Sequence, residues 1–487
     1  MSTRSQNILI FFILITLFWL LGFNQFYAFP PDSFHLGAQT DRASIVLNYA
    51  NGSADFLYPK IMETRVSEGI VGCEFPGLYY VLGKVFSFTG FRYDIYRIVI
   101  WLFYFLGIWS FYQISRLYLN FTISLFISIA LASSPILCFY GLNFLPDVPA
   151  FGLSMFGWWM LLGKKRKKIF LILGFLVLSL AGLVKASFAM HIVVAFSIYI
   201  VENKKIKWEV LVSGLIGLAA IAGWYEWATH LNNKFQNPHF LLKPNPAVSF
   251  PDFLALIKSN WANWARETYP IITLIIALSG IFFQFKNRKT QSTLFKVSSR
   301  LFVCWVAFYL LFQTQFKYHD YYLVAAIPLL FFLIVHFGVY LKKITLSPII
   351  LYAVFGFILF QNFYHAKKQL NERHKTSSYY YQPPMPGIIE KYVGIDSFLN
   401  TQIPKDAKII TVFDNTPNST LFFCRRKGGR IAEDFNDELI AEILNEPQFD
   451  YMLVNKPILF KERLSKIEYE LNEPIATYKG IILYKTR

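Results

Sequence analysis

Residues 148–184 read VPAFGLSMFGWWMLLGKKRKKIFLILGFLVLSLAGLV, two apolar runs joined by the basic tract Lys164-Lys165-Arg166-Lys167-Lys168. An apolar run approaching twenty residues satisfies its backbone in hydrocarbon only as a helix. A knot of Lys and Arg between two such runs marks a turn kept on the cytoplasmic side of a membrane. The stretch therefore reads as a transmembrane helical hairpin, and the rest of the chain repeats the pattern. Runs of spanning length occupy 8–23, 96–115, 121–140, 148–163, 169–184, 187–201, 209–227, 270–285, 301–316, 322–341 and 346–364, about 11 transmembrane helices. The first follows Arg4 and continues to Pro30-Pro31 with no convincing small-residue cleavage site, so it reads as a retained anchor.

Composition points the same way. Of 487 residues, 55% are hydrophobic and only 16% charged, against about 25% charged in an ordinary soluble domain. One or two aqueous cores cannot hide that much apolar surface, which excludes a cytosolic enzyme, a secreted protein and a disordered chain. The net charge of +17 invites a nucleic-acid reading, but residues 1–365 carry 29 bases and 14 acids while residues 366–487 carry 18 and 16. The excess thus belongs to the hydrophobic part, in tracts at 164–168, 204–207, 286–289 and 342–343, and no nucleic-acid partner is implied. Cys73, Cys138, Cys304 and Cys424 have neither metal-ligand nor disulfide-framework spacing.

Eleven spans from a cytoplasmic amino terminus place every basic tract inside. The outer side then receives residues 24–95, 140–148, a turn near Lys185, residues 228–269 and 317–321, and everything after 365. After 366 the chain changes character: short β-branched runs (Lys408–Phe413, Tyr451–Asn455, Gly480–Lys485) alternate with helical patterns (Asp434–Asn445, Lys461–Leu471). The expected fold is an α-helical polytopic membrane domain, 1–365, followed by a small α/β domain, 366–487, outside the membrane. His374–Pro386 reads as the connecting strap, and no internal repeat is visible.

Seven of the 14 acids in residues 1–365 crowd the outer loop 24–95: Asp32, Asp41, Asp55, Glu63, Glu68, Glu74 and Asp94. A solvated loop accounts for Asp55, Glu63 and Glu68 beside their polar neighbours. It accounts less well for Asp41, in Gln39-Thr40-Asp41-Arg42-Ala43, and for Glu74, in Gly72-Cys73-Glu74-Phe75-Pro76. Asp41 reads either as a helix cap or as a general base at a helix start, and Asp147, in Pro146-Asp147, poses the same choice. Lys185 stands alone in an apolar stretch, where a lysine costs on the order of 3 kcal/mol at a helix centre. It marks either an outer turn from which the side chain snorkels or a functional cation. Trp261, Trp264, Lys258 and Arg266 read as an interfacial amphipathic helix, and Cys424–Arg430 as a solvated loop rather than an anion-binding turn. The sequon-like triplets at Asn51, Asn120 and Asn418 carry no assignment.

An amino-terminal span is followed by an outer loop with Asp41, Asn48, Gly52, Tyr58-Pro59, Gly69 and Glu74-Phe75-Pro76. Pro146-Asp147 opens the fourth span, and Lys317-Tyr318-His319-Asp320-Tyr321-Tyr322 precedes a late one. In this order the motifs resemble the polytopic GT-C glycosyltransferases, in the branch related to protein O-mannosyltransferases, the lipid A aminoarabinose transferase and the RgtA/B-type sugar transferases. The resemblance covers about residues 1–365, and Gly77 departs from it, since a bulky apolar residue is expected after the proline. It implies a GT-C-like fold and an inverting glycosyltransferase of a bacterial inner membrane, active on the periplasmic face. Such an enzyme moves a hexose or pentose from a polyprenyl phosphate to a hydroxyl of a cell-envelope glycan, lipid or protein. By the same resemblance Asp41 is the base, Glu74 orients the acceptor or shares that role, and Asp147 supports the site. Lys185, Lys317, His319 and Arg266 meet the donor phosphate. No cofactor is implied, although outer-face carboxylates are also ligands for Mg²⁺ or Mn²⁺; His319-Asp320 is too short a motif to demand a metal.

Two other classes compete. A transporter or flippase of lipid-linked sugars concentrates ionisable groups near the bilayer midplane and is built from repeats, whereas here they gather at one face without a repeat. A non-catalytic assembly subunit would not need Asp41, Glu74 or Lys185 for activity.

Overall fold

The computed structural model describes residues 3–163, 167–202, 207–237, 244–289, 292–342, 347–375, 388–414, 416–467 and 469–486. Most of the strap, residues 376–386, lies outside the described residues, as do Lys164, Lys165, Arg166, Lys204, Lys205, Ile206 and Lys343. The chain forms two compact units. One gathers Met1–Ala28, Asp94–Tyr225 and Leu242–Arg373; the other gathers Phe29–Tyr93, Glu226–Leu241 and His374–Arg487.

The first unit is helical, and the apolar runs assigned to it lie on helices. Among the described residues, Tyr93–Ser115, Trp208–Lys234, Thr293–Leu311 and Asp320–Leu341 are long and apolar enough to cross a membrane. The pair Phe121–Ala132 and Pro135–Gly141 is apolar and bent by 70°, either a broken span or a re-entrant loop. By length and apolarity the described residues hold four helices able to cross, or five if the bent pair is one span, where the sequence reading expects eleven. Two features contribute to the difference. Proline breaks one run: Pro135 holds Ser134 extended and has no N–H to continue the ladder. Several other runs form short helices, Ser5–Leu20, Lys168–Val184, Ala186–Val201 and Ile271–Lys286. Large apolar side chains nevertheless face outward, with Phe282 65%, Val303 67% and Phe360 70% exposed. That surface is stable against hydrocarbon and unfavourable against water.

The hairpin that opened the sequence reading is present as the helices Asp147–Leu162 and Lys168–Val184. They meet at a pair of glycines. A Cβ on Gly157 would lie 2.7 Å from Leu178 and 3.2 Å from the Gly174 carbonyl, and one on Gly174 would lie 3.3 Å from the Gly157 carbonyl. Helices in lipid associate through such close backbone approach. Gly157→Leu is therefore expected to separate this pair at a cost of about 1–3 kcal/mol, read as a lower midpoint of thermal unfolding in nanodiscs. The exposed Gly356, with no atom within 4 Å of a built Cβ, is the matched control.

The helix Phe250–Glu267 is amphipathic: Phe250, Leu254, Ile257 and Trp261 are exposed, while Leu256 and Asn260 are buried. Asn260 donates to the Tyr309 hydroxyl at 3.2 Å and to the Gln313 carbonyl at 3.3 Å.

In the second unit, five strands form one sheet: β1 (Ile409–Val412), β2 (Gly428–Ile431), β3 (Tyr451–Val454), β4 (Pro474–Tyr478) and β5 (Ile481–Lys485), in the order β2-β1-β3-β5-β4. The pairs β1/β2 and β1/β3 are parallel; β3/β5 and β4/β5 are antiparallel. The β4/β5 hairpin turns through Lys479 and Gly480, both at positive φ, as a two-residue turn matching the strand twist requires. Three strands coincide with the β-branched runs of the sequence. β2 does not: the Cys424–Arg430 stretch, expected to be a solvated loop, enters the sheet with Cys424, Gly428 and Gly429 buried. Its Gly-Gly-Arg opening lacks β-branched residues, and glycine is required because a Cβ on Gly428 would sit 1.8 Å from the Ile409 carbonyl. The core under the sheet gathers Ile410, Val412, Ile431, Ile440, Ile443, Phe449, Met452, Val454 and Phe460.

The segment Phe29–Tyr93 belongs to the same unit. Thr64 N–H donates to the Gly428 carbonyl at 2.7 Å and Gly428 N–H to the Met62 carbonyl at 3.2 Å, so residues 62–64 extend the sheet beyond β2. The helix Leu36–Ala50 lies against the helix Ser419–Cys424, where Thr40 and Ser419 share a hydroxyl hydrogen bond of 3.0 Å.

Candidate functional site

Two polar clusters stand out, one in each unit. In the sheet-bearing unit, the helix Leu36–Ala50 carries Asp41 and Arg42, and the loop that returns from it is fixed by the residues that give the sequence its resemblance. Asn48 donates to the carbonyls of Ser44 and Lys60 at 3.0 and 2.9 Å. Gly52 and Gly69 adopt positive φ, and a Cβ on Gly69 would meet the Ile61 carbonyl at 2.7 Å. The Pro59 carbonyl accepts from Val71 N–H at 2.9 Å. Asn232 pairs with both backbone groups of Gly72, at 2.7 and 2.9 Å. These contacts deliver Glu74 to Arg42. The guanidinium grips Glu74 with two bonds, from Nε to Oε1 at 2.9 Å and from Nη2 to Oε2 at 3.2 Å, and the Tyr79 hydroxyl adds a third at 2.6 Å. The departure at Gly77 has a steric reason, because a Cβ there would lie 2.6 Å from the Phe75 ring.

Asp41 is arranged differently. Its Oδ1 accepts from Asn418 Nδ2 at 2.7 Å. Its Oδ2 lies 3.8 Å from Arg42 Nη1, too far for a hydrogen bond, and no donor among the described residues bonds it. The side chain is 12% exposed. One oxygen is thus anchored while the other remains able to take a proton. Burial pushes the Asp41 carboxyl up to about 6; Arg42, the Asn418 hydrogen bond and Arg430 pull it down, and the Glu74 charge adds to the rise. Asp41 does not cap its helix: it lies within it, and His35 is the residue at the amino-terminal cap.

The other acids of residues 24–95 are not all solvated. Glu63, expected to be a loop acid in water, is buried, accepts from Arg65 N–H at 3.2 Å and is pushed up by burial. Asp32 is fully buried against His374, 2.6 Å from its Nδ1.

In the helical unit, Asp147 is the first residue of the helix Asp147–Leu162. Lys185 sits at the break between the helix Lys168–Val184 and the turn Ala186–Phe188, in extended backbone. Its Nζ lies 3.3 Å from Asp147 Oδ2, and 4.7 and 5.5 Å from the ring centres of Tyr321 and Tyr322. Lys185 is therefore a half-buried, paired cation at a turn, with 12% of its side chain exposed. The His319 ring lies 5.3 Å from that of Tyr321 and 6.2 Å from that of Tyr322, so His319 and Lys185 share the same aromatic pair. Asp320 turns elsewhere, accepting from the Tyr140 hydroxyl and from Arg373 Nη2 at 2.6 Å. Lys317 is exposed, its Nζ 5.3 Å from the Tyr318 ring centre. Arg266 lies on the helix Phe250–Glu267, and its side chain is outside the described residues. Among the described residues, no three His, Cys, Asp or Glu side chains converge as metal ligands.

The structure thus joins Asp41 to Glu74 through Arg42 in one unit, and Asp147 to Lys185 beside His319 in the other. Sequence reasoning missed Asn418, Arg430, Tyr79 and the bridging role of Arg42. Arg42 had a local signal, as a basic residue adjoining Asp41. Asn418 had none, because its partner is 377 positions away.

No protein-family model matches the sequence, and no curated protein matches it. Solved structures do. ArnT from Cupriavidus metallidurans, in the apo state, superposes with a TM-score of 0.64 at 12% identity over 100% of this chain and 99% of its own; a second structure of that protein is bound to undecaprenyl phosphate. The Archaeoglobus fulgidus oligosaccharyltransferase gives 0.55 at 12% identity, covering 91% of this chain and 67% of its own. The mycobacterial arabinofuranosyltransferase AftD gives 0.56 at 13% identity, covering 100% and 40%. Helical unit, small sheet and full-length superposition together give this chain the fold of the GT-C glycosyltransferases.

Proposed function

We propose that the chain is an inverting glycosyltransferase that moves one hexose or pentose from a polyprenyl phosphate to an acceptor hydroxyl on a cell-envelope glycan, glycolipid or protein. The observation that carries this reading is the asymmetric carboxylate of Asp41, with one oxygen anchored, the other open, and a pKa near 6. A base is most useful when its pKa lies close to the working pH, since it is then ionised yet still holds a proton.

In the step, the acceptor oxygen attacks the anomeric carbon from the face opposite the phosphate. Its proton passes to Asp41 Oδ2, and the bond from carbon to phosphate oxygen breaks with its electron pair staying on the phosphate. Polyprenyl phosphate leaves, and the anomeric configuration inverts. Glu74, with both oxygens engaged, orients the site through Arg42 rather than acting as a second base. Lys185 receives the leaving phosphate's charge, steadied by Asp147, and His319, Lys317 and Arg266 supply further phosphate contacts. A cationic clamp of this kind substitutes for a general acid. The setting that fits is a bacterial inner membrane with the site and the C-terminal segment on the periplasmic face, residues 1–365 forming the transmembrane catalytic domain and 366–487 the exported one.

The test is donor consumption by the purified protein in nanodiscs, using a panel of radiolabelled polyprenyl-phosphate sugars with envelope extract as acceptor. One donor is expected to be consumed with transfer of label. Failure to consume or bind any donor would remove the reading and make lipid translocation the next assay. Lys185→Met is expected to cost about 10–100-fold in kcat/KM, because a charge-assisted contact is worth about 1.5–3 kcal/mol. A fall confined to donor dissociation would assign Lys185 to binding alone.

A further inference from the structure

The structure assigns Asn418, in the C-terminal segment, as the positioning residue of the Asp41 base, so that the exported segment is a working part of the catalytic apparatus and not only a cover over it. This rests on the reading of Asp41 as the base.

The orientation of the Asn418 amide is settled by its surroundings. Its Oδ1 accepts two backbone N–H groups, from Met62 at 2.9 Å and Glu63 at 3.0 Å. An amide nitrogen cannot accept them, so the NH₂ end must be the one presented to Asp41 Oδ1, at 2.7 Å. Asn418 is fully buried and stands at the amino-terminal cap of the helix Ser419–Cys424. That helix is itself held against the Asp41 helix by the Thr40–Ser419 hydroxyl contact. One side chain therefore ties three segments together: the helix of the base, the loop that leads to Glu74, and the start of a helix in the C-terminal segment.

Two consequences follow for the proton. With Oδ1 fixed by a donor, the carboxylate cannot rotate freely, and Oδ2 is held as the oxygen that receives the acceptor's proton. The donated hydrogen bond also favours the charged form, which keeps a buried carboxylate ionised at neutral pH. The charged groups facing Asp41 are Arg42 on its own helix, Glu74 from the loop before the helix Gly77–Thr89, and Arg430 on β2. Of the groups that pull its pKa down, Asn418 is the uncharged one, so replacing it by an acid reverses its sign without removing a cation.

The discriminating variant is Asn418→Asp. A carboxylate oxygen still accepts from Met62 and Glu63, so the backbone anchor is kept while the donor to Asp41 becomes a like charge. In the nanodisc assay, the acid limb of the kcat/KM profile is expected to move up by about one to two pH units. Asn418→Ser, a shorter side chain with a hydroxyl, is the second variant, expected to move the limb in the same direction by less. The carboxyl stretching band in the infrared, assigned by its loss in Asp41→Asn, reads the same shift without turnover. If both variants fold and neither the limb nor the band moves, while only thermal stability or the plateau falls, Asn418 is structural and the inference is wrong. If Asp41→Asn retains wild-type turnover, the base assignment has failed instead, and the two failures are told apart.

Discussion

Asp41→Asn is expected to lower kcat by about 10²–10⁴-fold, the range a general base contributes, while the affinity for the polyprenyl-phosphate donor stays within a few-fold. The substitution is nearly isosteric, and the asparagine carbonyl still accepts the Asn418 donor, so the fold persists. Stability should move in the opposite direction from activity. The folded chain holds the Asp41 proton up to about pH 6 against an ordinary value of 3.8. The wild type therefore binds this proton more tightly when folded. The stability it gains is fully present below the unfolded pKa and is lost as pH rises from 3.8 through 6, about 3 kcal/mol by the linkage relation. Asn carries no such penalty. Its midpoint of thermal unfolding is expected to exceed that of the wild type at pH 7.5 and to approach it near pH 4. A variant that is inactive because it misfolds would show a lower midpoint at both.

Arg42→Ala should have the largest effect on stability. Arg42 and Glu74 are 8% and 4% exposed and bonded through two nitrogens, and breaking a buried pair by removing one partner costs about 3–5 kcal/mol because the other charge is left unpaired. Burial alone would lower the guanidinium pKa, but Glu74, Tyr79 and Asp41 together outweigh it and hold the group well above its usual range. Arg42→Lys should restore little, since an ammonium cannot reproduce the two-pronged contact. Arg42→Ala combined with Glu74→Ala should be less damaging than the sum of the two, because neither charge is then stranded. Unfolding in nanodiscs followed by intrinsic fluorescence measures all four. Additive losses would mean that the pair is not the unit holding this loop.

The membrane character and the α/β character of the C-terminal segment were legible because both are written in local periodicity. The Lys164–Lys168 knot between apolar runs announced the hairpin, and Lys408–Phe413 and Tyr451–Asn455 announced β1 and β3. The limits of legibility have equally local causes. Hydropathy cannot see a 70° break at Ser133-Ser134 inside one apolar run, because the break depends on Pro135 and not on polarity. β2 was invisible because its glycines are chosen for backbone contact with Ile409 rather than for strand propensity. At the site, the carboxylates were visible as acids in apolar company, and Lys185 as a cation where one is costly. What surrounds Asp41 was not, since Asn418 and Arg430 arrive from the far end of the chain through the packing of the helix Ser419–Cys424 and the strand β2. Glu63 shows the converse: its polar sequence neighbours suggest water, and residues 62–64 bury it by joining the sheet.

The most direct measurement is the pH dependence of kcat/KM for donor-dependent transfer between pH 4.5 and 8.5, wild type beside Asp41→Asn. With Asp41 as the base, the wild-type rate falls tenfold per pH unit below about pH 6, and the residual activity of Asp41→Asn lacks that limb. A wild-type profile that stays flat through pH 5, or a limb that persists unchanged in Asp41→Asn, would contradict the assignment of the proton to this carboxylate.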